Sequence, residues 1–476
     1  MNILLLLAGL GIGAIVIALL LKLPKLIEPL QQELKNNPES LEQEMQAEKV
    51  TDKLQGYMYA AVGFAAILMA FGVYWYVKGT PYEGHFREWS NLVVRLIHIT
   101  FGIAWIGASF YFVFLENALN RKDDNRDELA GHLWAVHGGG FYYLEKYKIA
   151  PQKIPKELHW FKYEAYFTWI SGFCLLCVVY YFNASGFLID PNVCDITPAT
   201  GIAIGVGSLI VGWIIYAILS RSPIAKNGKL FALTGFLILV AFAWFYCQVF
   251  SARAAFIHFG ALIGTLMVGN VFFVIIPAQK EMVSAAKEGR PLNPELGKHA
   301  GWRSLHNNYL TLPVLFVMIS NHFPSTFGHE NSWAVLAAIT LGTAGIKHYL
   351  NLMEKKQESV WVLPISIFIL LGVAFITAPE VSNGECDKQI GFTQVYSIIN
   401  ERCVTCHSSA PTDDVWTSPP NGVVYDTPEQ ITNLTDKIMQ RVVITKTMPQ
   451  NNKTGMTPEE REVIRCWIEQ GATTEN

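Results

Sequence analysis

The segment Cys403-Val404-Thr405-Cys406-His407 places two thiols three residues apart with an imidazole directly behind them. Thiols at this spacing can each form a thioether with a porphyrin vinyl group, and the adjoining imidazole can ligate the iron. A bare Cys-x-x-Cys also suits zinc or a redox dithiol, but the following His favours covalent haem c. A sixth iron ligand must then come from farther along the chain. Met448, in Lys-Thr-Met-Pro-Gln, is the first choice, because its Pro stiffens an extended loop and a thioether favours reduced iron. Met456 is the second choice and Met439 the third.

The elements that must position these groups are legible around them. A helix over about 390–401 leads into the motif. Thr457-Pro458-Glu459-Glu460 reads as a second helix start, with Thr as N-cap, Pro at N1 and Glu at N3, ending near Gly471. Two helices bracketing one haem is the build of a small cytochrome c, and residues 380–476 are expected to form it. Cys386 and Cys466 fall in the same region; an oxidising compartment permits a disulfide there, but spacing does not show that they meet.

Upstream the chain is of a different kind. Of its 476 residues 51% are apolar, and these gather in ten runs near the length of a bilayer span: 2–21, 54–77, 91–115, 163–183, 199–219, 229–250, 254–277, 307–323, 332–352 and 359–378. Only helices satisfy their own backbone in such runs. An all-α fold is therefore expected, a polytopic helical membrane domain followed by the small α-helical domain. The net charge of -3 says little, and no nucleic-acid partner is expected. The distribution of Lys and Arg says more. Connections 22–53, 116–162, 220–228, 278–306 and 353–358 are rich in them, whereas the alternate connections hold only Lys78, Arg87 and Arg253. The positive-inside rule makes the first set cytoplasmic. Ten spans then leave both termini outside, as attachment of haem c outside a bacterial cytoplasm requires. The first run lacks preceding basic residues and reads as an anchor, not a cleaved signal.

Histidines inside apolar runs are functional candidates because lipid penalises them. His98 and His258 sit near the outer ends of the third and seventh runs, each after an Arg and before a Gly-rich stretch. Each of those runs is followed by a long cytoplasmic loop that ends in Leu-His, at His159 and His306. This faint repeat predicts two parallel four-helix halves, 81–379, preceded by a two-span extension, 1–80. His98 and His258 could ligate a haem b or other metal between the halves; the alternative is that each bonds a backbone carbonyl. The stretch HLWAVHGGGFYY, 132–143, is unfit for a helix interior, since Gly costs about 1 kcal/mol per position relative to Ala. With His132, His137, His159 and Glu164 it could line a pocket for a planar, hydrogen-bonding anion; the alternative is a surface loop. Cys174 and Cys177 read as helix packing.

The blocks EGHFREWSNLVVRLIHITFGIAWIGASFYFVFLENAL, LWAVHGGGFY, LHWFKYEAY and CVTCH…TKTMPQNNKTGMT resemble the membrane-bound urate hydroxylase (urate oxidase) of bacteria. The resemblance covers about residues 83–475; the extra spans in 1–80 depart from it. It implies oxidation of urate to 5-hydroxyisourate with water as the oxygen source. Electrons would leave through the attached haem c to a respiratory acceptor, a cytochrome c or a terminal oxidase, without reducing oxygen to peroxide. It places the protein in the bacterial inner membrane with the cytochrome domain on the periplasmic side. Catalytic candidates are His132, His137, His159, Glu164 and His306, with a nearby base taking the proton from water. The rival reading is a respiratory quinol-to-cytochrome electron conduit.

Overall fold

The computed structural model describes residues 82–474 apart from 123–124, 152, 156, 358, 379–385, 387, 414–415 and 417, together with 72–73, 76–77 and 79–80. The expected span 2–21, most of 54–77 and the segment 31–53 lie outside the described residues. The chain divides into two compact units, Met1–Trp89 and Ser90–Asn476. In the first, Glu83 opens helix α1 (Glu83–Ala118), and Arg87 pairs with it one turn later at 2.8 Å.

The rest of the chain is mostly helical. Helix α2 (Tyr163–Leu176) runs on through a π turn to Tyr181; α3 (Pro198–Leu219) and α4 (Gly228–Val249) follow. Helix α5 (Ala252–Asn270) passes through a π turn, Val271–Ile275, into α6 (Ile276–Lys287). Among the described residues these five stretches, counting α1, are long and apolar enough to cross a membrane. Their starts obey capping chemistry. Thr197, Asn227 and Ser251 each accept a hydrogen bond from a backbone N–H of the first turn, relieving donors that the helix itself leaves unpaired.

Two expected spans come out differently. Residues 307–320 of the first and all of 332–352 fall within helices α7 (Pro294–Ser320) and α8 (Ser332–Glu354), which are long but too polar to count among the five. The last expected span is the shorter apolar helix α9 (Val362–Ile376). Helix α5 is the axis of the core. Phe256, Phe259, Leu262 and Ile263 are almost wholly buried against Tyr246 and Phe250 of the preceding segment, Leu336 of α8 and side chains of α3. Truncating such a Phe to Ala costs about 3–5 kcal/mol.

The all-helical expectation needs one correction. Residues 129–147 form an antiparallel hairpin, β1 (Leu129–His137) and β2 (Gly140–Tyr147), in which Val136 pairs with Phe141 and Trp134 with Tyr143. The cause lies in the sequence between them. Gly138 and Gly139 have φ of +58° and +79°, and two positive values in a row are what the tight turn favoured by twisted hairpins needs. The flanking Trp, Val, Phe and Tyr residues favour strands. The hairpin's aromatics face outward; Phe141 is 78% exposed.

The last part has its own apolar core, built by α10 (Phe392–Arg402), α11 (Pro458–Glu469) and the segment between them. Thr457 and Glu460 form the expected capping box at the start of α11. Arg402 grips the Glu460 carboxylate through Nε at 3.1 Å and Nη2 at 2.9 Å, joining the two helices. Cys386 and Cys466 are disulfide-bonded, with Cα atoms 5.5 Å apart. This region touches the helical bundle at the segment that holds Gly186, Phe187 and Ile189. Gln450 Nε2 donates to the Gly186 carbonyl at 2.5 Å, Asn451 Nδ2 to that of Ile189 at 3.1 Å, and Phe187 meets Trp416 edge-on.

Candidate functional site

The buried polar residues of the bundle concentrate on α5, α7 and α8. His306 of α7 shares a 2.7 Å hydrogen bond with the Tyr216 hydroxyl through Nδ1. Asn270, at the end of α5, donates to the same hydroxyl at 2.8 Å and to Asn307 Oδ1 at 2.9 Å. Arg303 Nη1 donates to Asn270 Oδ1 at 3.3 Å, and its guanidinium lies 5.0 Å from the Tyr216 ring centre. Phe231 stacks on the His306 ring at 4.5 Å. A base held by hydroxyl and ring contacts keeps one orientation, which proton transfer requires. Farther along α7, Asn308 Oδ1 accepts from Asn351 Nδ2 at 2.8 Å, and the buried Lys347 ammonium rests 3.9 Å from the Phe110 ring centre.

The other proposed catalytic groups are placed elsewhere. His132 lies on β1, bonded to Asn125 Oδ1 at 2.6 Å, and His137 ends that strand, exposed. His159 is exposed in the following loop, edge-on to Phe161. Glu164 opens α2 with Oε2 buried and without a hydrogen-bond partner among the described residues. Only His306 of the five enters the buried network.

His98 and His258 follow the modest alternative. His98 Nδ1 donates to the Thr168 carbonyl at 2.9 Å, its ring set against Gly172, where a Cβ would come within 2.9 Å of it. His258 is fully buried; Nδ1 donates to the Ala254 carbonyl at 2.8 Å and Nε2 meets the Tyr181 hydroxyl at 3.1 Å. No hydrogen bond or ring contact joins the two histidines among the described residues.

The Cys403–His407 segment forms a turn at the end of α10, with both the Cys406 and His407 amides donating to the Cys403 carbonyl. His407 Nδ1 donates to the Val423 carbonyl at 3.1 Å, which fixes the tautomer and leaves the Nε2 lone pair for a metal. Burial pushes the Cys403 thiol up to about 12, aided by neighbouring Cys406. Burial and then Asp413 push Cys406 to about 11. Burial also holds His407 below its ordinary value, against the Val423 hydrogen bond. Val404, Val423 and Met448 pack against the same apolar cluster as Cys403. This donor set fits haem c. Met448 is half-buried at the edge of that cluster, whereas Met456 is buried within it as a packing residue.

A family model described as urate oxidase N-terminal matches residues 84–378. The chain belongs to the urate oxidase N-terminal family. No curated protein and no solved structure matches it. Family membership makes this a urate-oxidase-related protein of the oxidoreductase class. The matched residues contain both the hairpin and the α7–α8 polar set, and they stop short of the Cys403–His407 turn. Sequence reasoning reached His306 but missed Tyr216, Asn270, Arg303, Asn307, Asn308, Lys347 and Asn351. The available signal was the low apolarity of two would-be spans, 307–323 and 332–352, whose polar residues had to point at one another.

Proposed function

We propose that the chain oxidises urate to 5-hydroxyisourate in its membrane domain, residues 81–379, taking the oxygen atom from water. Two electrons per urate leave through haem c in the domain 380–476, held by Cys403, Cys406 and His407 with Met448 as the second axial ligand. The observation that carries this reading is the union in one chain of a urate oxidase family segment with a Cys-x-x-Cys-His turn whose imidazole tautomer is preset for iron. A bound haem c supplies acceptance of one electron at a time, so each urate requires two successive transfers. His306 is the base of choice. Tyr216 orients its ring, Phe231 stacks on it, and Arg303 nearby favours an anionic partner. The domain 380–476 lies on the outer side of a bacterial inner membrane.

Urate added without oxygen to the purified protein is expected to reduce the c-type absorption band. A His407→Ala variant, lacking the axial imidazole, is expected to lose that reduction. A quinol-to-cytochrome conduit has one observation in its favour, an apolar groove between α3 and α4 lined by Ile204, Val211, Phe242 and Phe245. In that case quinol, and not urate, would reduce the band.

A further inference from the structure

We propose that the purine anion is seated by Asn308, Lys347, Asn351 and Arg303, where α7 meets α8, and not by the aromatic hairpin. This rests on urate being the substrate. All four side chains are buried, Lys347 and Asn308 completely. Four of their polar atoms have no hydrogen-bond partner among the described residues: Lys347 Nζ, Arg303 Nε, Asn308 Nδ2 and Asn351 Oδ1. Folding normally pairs such atoms, because an unsatisfied buried group forfeits its hydration with no hydrogen bond in return, and a charged one loses more. Four on two adjoining helices call for a ligand.

Their chemistry says which kind. Asn308 and Asn351 consume one half of each amide on each other, through the 2.8 Å Nδ2–Oδ1 bond. What remains is the Asn308 amide NH2 as donor and the Asn351 carbonyl oxygen as acceptor. Exchanging oxygen and nitrogen in both amides together leaves the same result. A neighbouring donor and acceptor match a cyclic lactam edge, in which ring N–H and C=O stand side by side, as in urate. Lys347 lies one helical turn before Asn351 on the same face of α8, its ammonium over the Phe110 ring and without a hydrogen-bond partner among the described residues, while the Glu354 charge acts on it only through space. Arg303 sits five residues before Asn308, about 140° round α7, where it bonds Asn270 and covers the Tyr216 ring. A buried ammonium one turn from a lactam-reading amide pair, with a second buried cation on the adjoining side of α7, selects an anionic heterocycle. The hairpin offers none of this: its aromatics are exposed and His132 already has its partner.

The test uses full-length, detergent-solubilised protein and equilibrium binding of urate without oxygen, with ligand-free melting measured in parallel. Lys347→Met keeps the stem and removes the charge. It is expected to weaken urate binding by about 30-fold or more, the effect of losing one partner of a buried charged contact. Its ligand-free melting temperature should not fall, since an unpaired buried charge has gone. Asn351→Asp should also abolish tight binding, because Asn308 would turn its amide N–H2 toward the new carboxylate and leave two acceptors facing urate. Urate binding at wild-type strength in either variant overturns the proposal, as does a lowered melting temperature of Lys347→Met with binding retained. If wild type itself neither binds urate nor shows urate-driven reduction of its c-type band, the functional reading falls first. If wild type does both and the variants match it, only this seat is wrong.

Discussion

The hairpin of residues 129–147 and the polar set on α7 and α8 belong to one family segment and differ in almost every physical respect. The hairpin carries the arresting sequence, three glycines flanked by histidines and aromatics, yet it holds those side chains at the surface. The polar set carries ordinary-looking asparagines and a lysine inside two would-be spans, with an arginine just ahead of the first, and it buries them. Unusual backbone sequence announces a turn. Costly side chains in a core need partners, and the polar atoms left without one among the described residues mark the candidates for chemistry.

That contrast can be broken most sharply at the histidines. His306→Gln should lower urate turnover by about 10²- to 10⁴-fold, the usual worth of a general base. His137→Gln on the hairpin should change it by no more than about twofold, as for an exposed residue. Steady-state rates of urate loss decide this, and equal effects would erase the distinction. Next in size is stability. Asn270→Ala strips a partner from the Tyr216 hydroxyl, Asn307 and Arg303 at once, and should destabilise the protein by about 2–3 kcal/mol in denaturant melts. On the hairpin, Gly139→Ala forces a side chain into positive φ and should cost about 1 kcal/mol, read as faster proteolysis between β1 and β2. Trp134→Ser and Phe141→Ser should each stay within about 0.5 kcal/mol of wild type, since those rings are already exposed.

The smallest effect is expected outside both regions. Burial pushes the Glu460 carboxyl up, but the Arg402 guanidinium outweighs it and holds the group below the ordinary carboxylate range. A depressed folded value means stability that is present above the unfolded value and lost as pH falls through the folded one. The melting temperature should therefore decline below the ordinary carboxylate range, and the decline should be shallower in Glu460→Gln.

Local chemistry was the readable part of the sequence. The Thr457 capping box, the helix before Cys403 and five of the long apolar helices stand where their residues placed them, because caps and hydrophobic length act over a few residues. The hairpin was half legible: its glycines excluded a helix, but strand pairing required reading 129–136 and 141–147 together. The Asn308–Asn351 and Asn270–Asn307 contacts were opaque, since asparagine carries no sequence period and its partner lies about 40 residues away. The Cys386–Cys466 disulfide was permitted by the sequence, but the proximity it needs shows only once both ends of the C-terminal core are placed.

The central claim is that electrons taken from urate leave through iron carried at Cys403 and Cys406. It is tested most directly by replacing both cysteines with Ser and following urate, oxygen and hydrogen peroxide together in purified protein. The account predicts that urate loss stops in the variant, while wild type with an added electron acceptor consumes urate without forming peroxide. Urate loss at the wild-type rate in the variant, with peroxide rising in step, would contradict it.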